Sequence, residues 1–505
     1  MSEQSKVMHR GQIVASLILG AFVALLAQTL LNVALPHMML DLNVSTNTIQ
    51  WLANGYLLTN GILIPLSAFL VERFSTRKLF LSAVGLFAIG TIVCAVAPHF
   101  NILLTGRIIQ AIGAGILMPL MMVVFLTIFP VEERGKAMGM MGLAMIFAPA
   151  IGPTLSGWVI EHYTWRVLFY IVLPLSIISF IFGFFSMKNV TETGKPKLDL
   201  FGVILSTLGF GGLLYGFSDA GNDGWGSKAV IATLVIGGIA LIGFVWREIV
   251  VDKPILDMRV FQFSMFSLTS FINAIITMAL YSGMILLPIY LQTLRGFTPL
   301  ESGLLLLPGA ILMGIMSPIT GIIFDKVGAR WLAVVGLLIT VLTTFEFSRL
   351  TLETTYFHII LMYTARMFGM SMLMMPIQTA GINQLPRRLN SHGSAMSQTI
   401  RNVAGALGTA LLVTVMTQQA RARGADLVRA AKIDPSDAAN AAQMQDITSL
   451  ATVHGINYSF EVATWMTVAA LILAFFIRRV APADEARIES ANRSSRDRNQ
   501  PAFSK

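Results

Sequence analysis

Cysteine is nearly absent from this chain of 505 residues: Cys94 is the only one, which excludes an intramolecular disulfide and any cysteine-built metal cage. Charge is scarce as well. Asp, Glu, Lys and Arg make up 12% of the residues against 55% hydrophobic, and the mean hydropathy is +0.73, far from the balance of a water-soluble domain. The seven histidines (His9, His37, His99, His162, His358, His392, His454) are scattered; none shows metal-ligand spacing, so no metal and no clustered catalytic set is expected. A phosphate-cradling Gly-x-x-x-x-Gly-Lys-Ser/Thr loop is missing, which excludes ATP-driven pumping by this chain. No cofactor is called for, and the chain does not read as an enzyme. The first apolar run has full spanning length and no clear small-residue cleavage site, so it is expected to stay as a span.

What the chain does have is apolar runs of about 20 residues, the length that crosses hydrocarbon as helix. Fourteen are expected, at 13–35, 48–71, 79–98, 102–128, 136–160, 166–187, 199–218, 229–247, 264–289, 302–324, 331–349, 356–380, 396–418 and 458–477. The runs are continuous rather than alternating, so a transmembrane β-barrel is excluded and the fold class is all-α integral membrane. Placing the N-terminus inside puts about 25 of the 35 Lys and Arg residues on the inner side, as the positive-inside rule requires; Arg387, Arg388 and Arg401 are in that tally. Both termini are then cytoplasmic, in a multi-pass protein of the cell membrane. The net charge of +9 is accounted for by this topology and by anionic inner-leaflet lipid, without nucleic acid. Segment 420–457 is expected to form one short amphipathic helix on the outer surface, and the polar tail 481–505 to be disordered.

Two charged turns interrupt the apolar runs about 250 residues apart, Glu72-Arg73-Phe74-Ser75-Thr76-Arg77-Lys78 and Asp325-Lys326-Val327-Gly328-Ala329-Arg330. A turn pattern that occurs twice implies two related halves with a substrate path between them. In each, a carboxylate at a helix end beside a cluster of cations can hold one conformation and release another; the plainer alternative is an ordinary positive-inside turn. The first turn, with Ala68 and Ser75 at positions that are glycine in the usual pattern, resembles the loop between the second and third helices of the major facilitator superfamily. The second keeps Gly321 and Gly328. Leu104-x-x-Arg107-x-x-Gln110-x-x-Gly113-x-Gly115 looks like the family's fourth-helix motif, where Arg107 either serves a proton pathway or snorkels to the nearer interface. Ala148-Pro149-Ala150-Ile151-Gly152-Pro153-Thr154-Leu155-Ser156-Gly157 resembles the fifth-helix motif of the drug/proton antiporter branch, with Gly152, Pro153 and Gly157 in its exporter pattern; generic small-residue packing is the alternative.

Further strings are similar to the fourteen-helix drug:proton antiporter group: Asn32-Val33-Ala34-Leu35-Pro36, Trp51 to Leu58, Trp165-Arg166, Pro254-Ile255-Leu256-Asp257, Leu287 to Gln292 and His392-Gly393-Ser394-Ala395. The resemblance covers about residues 10–480. It implies a six-helix bundle in 1–190, two inserted linker helices in 191–260, with Asp199 at a helix start, and a second six-helix bundle in 261–480. The implied function is proton-coupled, alternating-access export of small amphipathic compounds by a monomer. Export of one specific metabolite or lipid, or solute sensing without transport, remains open on the same fold. One departure bears on mechanism: the branch usually carries an Asp in the first helix where this chain has Ala27. Proton coupling would then fall to Arg107 with Glu346 or Glu461, the carboxylates nearest membrane depth. Gln28, Asn32, Trp51, Asn54, Tyr56, Met118, Tyr281, Tyr290, Gln292 and Gln378 are the expected substrate-binding residues. The 28 methionines offer either an adaptable binding surface or ordinary apolar filling.

Overall fold

A computed structural model describes residues 3–44, 46–191, 193–194, 199–251, 254–431 and 440–478; the tail 481–505 lies outside them. Fifteen α-helices follow in order: α1 (Glu3–Asp41), α2 (Thr46–Arg73), α3 (Thr76–Ala95), α4 (Phe100–Ile128), α5 (Arg134–His162), α6 (Arg166–Ser186), α7 (Leu200–Asp223), α8 (Lys228–Val250), α9 (Ser264–Ile289), α10 (Pro299–Val327), α11 (Ala329–Phe347), α12 (Tyr356–Ser371), α13 (Met374–Ile382), α14 (Asn390–Ala431) and α15 (Ala441–Ala474). Among the described residues thirteen segments are long and apolar enough to span a bilayer, and a bent pair makes the fourteenth. An all-helical chain is what hydrocarbon imposes, since each backbone N–H and C=O must find its partner within its own segment.

Where the helices depart from straight apolar runs, proline accounts for most of the departures. The second span bends by 55° between Leu63 and Leu66, where the sequence places Pro65, a residue without a backbone donor. The twelfth span is broken into α12 and α13 at Met372 and Leu373; Pro376 cannot donate to the Met372 carbonyl, so the old helix ends there and a new one starts. A π-turn at Tyr290–Leu294 extends α9 just past Pro288. The short outer helix expected within 420–457 does not form separately. Instead α14 runs on to Ala431 and α15 begins at Ala441, because residues 420–431 and 441–457, rich in Ala, Arg and Gln, hold no proline to stop a helix.

Packing repeats between the first six spans and the last six. In the first set α1 packs on α5 and α6, α2 on α4, and α3 on α4 and α6; in the last set α9 packs on α14 and α15, α10 on α12, and α11 on α12 and α15. The two sets meet along two seams, α5 against α10 and α2 against α14. Each seam joins a fifth span to a second span, so exchange of the halves carries one seam onto the other. Of the inserted pair, α7 lies over the second seam, with Tyr215 stacked on Trp51 of α2 at 5.5 Å and Trp225, just past its end, hydrogen-bonded to Thr414 of α14.

The α5–α10 seam is unusually close because glycine faces backbone along its length. Lipid tails are as apolar as leucine, so helices in a membrane associate through close packing rather than exclusion from water. A Cβ on Gly321 would strike the Gly135 carbonyl, one on Gly139 would lie 2.5 Å from the Ser317 carbonyl, and one on Gly303 2.9 Å from Thr154 Oγ1. We call the side on which α2 and α10 end, and α5 and α14 begin, the turn face. Replacing Gly321 by Val is expected to destabilise the protein by about 1–3 kcal/mol through overpacking, read as a lower melting temperature in detergent. Gly238→Ala, where nothing stands within 4 Å, is the control that should leave it unchanged or raise it; equal melting of all three proteins would contradict this account of the seam.

Candidate functional site

The charged turns do their work across the seams. Gly135 and Lys136 open α5, and their amides are among the four that a helix start leaves without internal partners. Asp325, at the end of α10, accepts both: Gly135 N donates to Oδ1 at 2.8 Å and Lys136 N to Oδ2 at 3.0 Å. A carboxylate there also meets the positive end of the α5 dipole. Arg134 adds a second tie, donating through Nη1 to Asn383 Oδ1 of the α13 end at 2.9 Å and through Nη2 to the Leu126 carbonyl at 2.8 Å.

The other seam has the equivalent latch in different chemistry. Glu72, at the end of α2, accepts from Ser391 Oγ at 2.8 Å, and His392 Nε2 lies 3.1 Å from the same carboxylate oxygen; both partners open α14. The Asp257 amide donates to His392 Nδ1 at 3.2 Å. With Nδ1 accepting, Nε2 is the ring nitrogen that donates to Glu72. The linker is fixed in turn by Glu248 of α8, whose Oε2 accepts the Leu256 amide at 2.9 Å. Asp199, which precedes α7, pairs with Arg247 at 2.6 Å, and that guanidinium holds its carboxyl below the usual carboxylate range. The strings Pro254-Ile255-Leu256-Asp257 and His392-Gly393-Ser394-Ala395, far apart in sequence, thus meet beside the first charged turn.

The cations of the turns are placed differently. Arg77 donates to the Phe184 carbonyl at 2.8 Å and lies over the Phe184 ring, tying α3 to α6, while Arg73 and Lys78 are exposed. Arg330 lies over Trp331, and Lys326 ends α10 beside Asp325. Backbone conformation also differs between the turns: Gly328 takes φ +84°, a left-handed value that favours glycine, whereas Ser75 sits extended at φ −65°. Ser75 in the first turn therefore carries no strain.

Arg107 does not snorkel. It is 1% exposed, donates to Gln110 Oε1 at 2.9 Å and to the Leu52 carbonyl at 3.4 Å, and stacks 4.2 Å from the Tyr56 ring. Gln110 passes the chain on to Thr91 Oγ1 at 2.7 Å, so the network joins α2, α3 and α4. Glu346 lies 3.5 Å from His358 with both side chains about two-fifths exposed, at the face opposite the turns. Glu461 is exposed on α15. The fifth-span motif forms a three-helix junction: Gly152 faces Thr29 of α1 and Gly157 faces Leu300 of α10, Ser156 donates to the Leu30 carbonyl at 2.6 Å, and Pro153 lies within the helix beside Gly152.

The expected substrate residues are dispersed. Gln378 is at the interface between the halves, buried, its Nε2 3.5 Å from Met122 Sδ of α4 and its Oε1 without a partner. Tyr281 packs where a Gly405 side chain would be. Gln28, Asn54 and Met118 are half-buried on α1, α2 and α4, and Trp51 stands between α2 and α7. Tyr56 lies under Arg107, and Tyr290 donates to the Thr351 carbonyl at 2.5 Å, which ties it into the second half. Gln292 is exposed in the π-turn. The Asn32 side chain is outside the described residues.

Three charged residues escaped the sequence reading. Arg366 is the counterpart of Arg107 in the second half, 0% exposed on α12, donating to the Ala279 carbonyl at 2.6 Å across the gap that Gly283 leaves; a lone Arg inside an apolar run was the available signal. Glu248 closes the second inserted helix and is 3% exposed. Arg401, tallied with the cytoplasmic cations although the expected span 396–418 contains it, lies inside α14, about 16 Å from its start, because α14 begins at Asn390. Replacing Glu72 by Gln or Asp325 by Asn removes a charge-assisted bond across a seam, each about 1.5–3 kcal/mol, and should open the turn face about tenfold more often. Spin labels on the turn-face ends of α2 and α14, and of α5 and α10, would report it; unchanged distance distributions in both variants would refute the latch.

Comparison with known proteins follows the same architecture. The model of the Major Facilitator Superfamily matches residues 17–409. The uncharacterized MFS-type transporter YhcA of Bacillus subtilis (strain 168) is 53% identical over 489 residues, 92% of each chain. The lincomycin resistance protein LmrB of the same organism is 44% identical over 481 residues, 95% of this chain and 97% of its own. The crystal structure of the human organic anion transporter MFSD10 superposes with a TM-score of 0.64 at 12% identity, covering 92% of this chain and 99% of that one, a likeness of fold.

Proposed function

Because the chain belongs to the Major Facilitator Superfamily, a family of transporters and not an enzyme class, we propose that it is a proton-coupled, alternating-access exporter of small amphipathic compounds. It sits in the cytoplasmic membrane as a monomer, with the turn face and both termini inside. The observation that carries this reading is the pair of carboxylate latches, Asp325 on α5 and Glu72 on α14, one on each seam. With both made, the turn face is held shut and the seam between the halves is approached from the opposite side. Releasing both lets the halves tilt the other way about the same midplane. Export rather than uptake is supported by the fifth-span junction and by relatives named for lincomycin and multidrug resistance.

Proton coupling has to work without a first-span carboxylate, for Ala27 is buried against its neighbours. Arg107, Glu346 and Glu461 remain the sequence candidates, and the His392–Glu72 pair joins them on geometry. Loss of the Glu72 charge would weaken the bonds it accepts from Ser391 and His392 and so favour opening of the turn face.

Everted membrane vesicles test the proposal. Uptake of a fluorescent amphipathic dye, or of lincomycin, should start when the vesicle interior is made acid and stop when a protonophore is added. The Glu72→Gln protein should lose most of this gradient dependence while still binding the dye. Uptake indifferent to the gradient would dismiss proton coupling; no uptake of any amphipathic compound would dismiss the exporter. Unaltered uptake by a Glu346→Gln, Glu461→Gln protein would remove those two residues from the mechanism.

A further inference from the structure

Arg401 stands at membrane depth with nothing to neutralise it. Its Nη1 lies 3.9 Å from Met145 Sδ of α5, across the divide between the halves, and a thioether is a weak acceptor. Among the described residues no carboxylate pairs with it. Tyr281 of α9 faces it, packed against Gly405 one turn along α14. Gln398, one turn earlier, donates to Asn402 Oδ1 at 3.4 Å. Arg401, Gln398, Asn402, Tyr281 and Met145 are all half-buried, so the protein does not close over them. Arg107 and Arg366 differ in both respects: each is fully buried and each donates to an oxygen acceptor of its own half.

A cation held in hydrocarbon without a counter-charge is costly, and a fold keeps one where an outside partner supplies the charge. We propose that Arg401 is the recognition residue for an anionic or strongly accepting group on the transported compound, such as a sulfonate, carboxylate or phenolate. The planar guanidinium engages the group by paired N–H donors, Gln398 and Asn402 offer amide donors beside it, and Met145 supplies a soft apolar wall for the rest of the molecule. The sign of the site is the reverse of one built on a first-span carboxylate: Ala27 brings no charge, and the fixed charge of this site is positive. This deepens the exporter reading above and rests on it for the word transported; the binding preference itself does not.

Two dyes with one scaffold separate the charge from the scaffold. Anilinonaphthalene sulfonate and uncharged N-phenyl-1-naphthylamine, titrated into the purified protein in nanodiscs against empty nanodiscs, differ chiefly by the sulfonate. Arg401→Gln should weaken sulfonate binding about tenfold, the scale of one lost charge-assisted hydrogen bond, and change binding of the uncharged dye less than about twofold. Arg401→Lys should retain most of the preference. Gln398→Glu, which places a carboxylate three residues from Arg401 on the same helix face, should abolish it with Arg401 in place, and serves if Arg401→Gln does not fold. Equal loss for both dyes, or none for either, would overturn the proposal. A charge-selective loss of binding in a protein that transports neither dye would uphold this site and count only against the exporter reading.

Discussion

Two glycines, Gly135 and Gly321, lie so close that neither position admits a side chain, and most of what this protein can do follows from that approach. It brings the start of α5 under the end of α10, which is the only way the Asp325 carboxylate can reach the free amides of Gly135 and Lys136. A bulkier contact would hold the two apart by several ångströms, beyond hydrogen-bonding range. Small residues along the rest of the seam keep α5 and α10 in touch over their whole length, so the pair is suited to serve as a pivot on which the halves turn. Had the seam been held by large apolar side chains, it would have no smooth surface on which to shift.

The two latches share geometry but not chemistry. Asp325 accepts from two backbone amides. Glu72 binds a serine hydroxyl and His392, and His392 accepts the Asp257 amide through Nδ1. Movement of that ring would break its bond to the Asp257 N–H in the linker. Glu248 fixes the neighbouring Leu256 amide, so the linker is held at two adjacent positions. The His392 latch thus joins α2, α14 and the end of α8, whereas the Asp325 latch joins α10 to α5 alone.

Much of the architecture was legible because hydrocarbon leaves few choices: the fourteen spans, the repeated turn and the small-residue character of Gly152 to Gly157 are all one-dimensional signals. The bend at Pro65 and the break before Pro376 were legible in principle from proline alone. What could not be read was which residues meet across the seams. Asp257 and His392 are separated by 135 positions, and no local pattern says that one amide will point at the other's ring. Arg401 shows the limit from another side. Counting Lys and Arg placed it with the cytoplasmic cations although the expected span 396–418 holds it, and α14 starts earlier than its hydropathy suggests: apart from Met396, Asn390 to Ser397 are polar or small, yet all are buried, packed inside the protein rather than facing lipid. Hydropathy measures compatibility with lipid, and a helix face that touches only protein is free to ignore it.

The inserted pair α7–α8 makes the two seams unequal, and that inequality sets where a compound can enter. Along the α2–α14 seam, Tyr215 stacks on Trp51 and Trp225 bonds to Thr414, so α7 bridges both helices and screens the gap from the surrounding bilayer. The α5–α10 seam has no such cover, but its glycine contacts leave no gap to screen. Neither seam therefore offers a lateral opening while the latches are made. Sideways entry from the inner leaflet would require α7 to leave α2, while the Asp199–Arg247 pair ties α7 to α8 and Glu248 ties α8 to the linker. The anchorage at the turn face and the screening at mid-depth are thus one arrangement: the same two helices that hold the latch's linker in place also deny the seam to lipid.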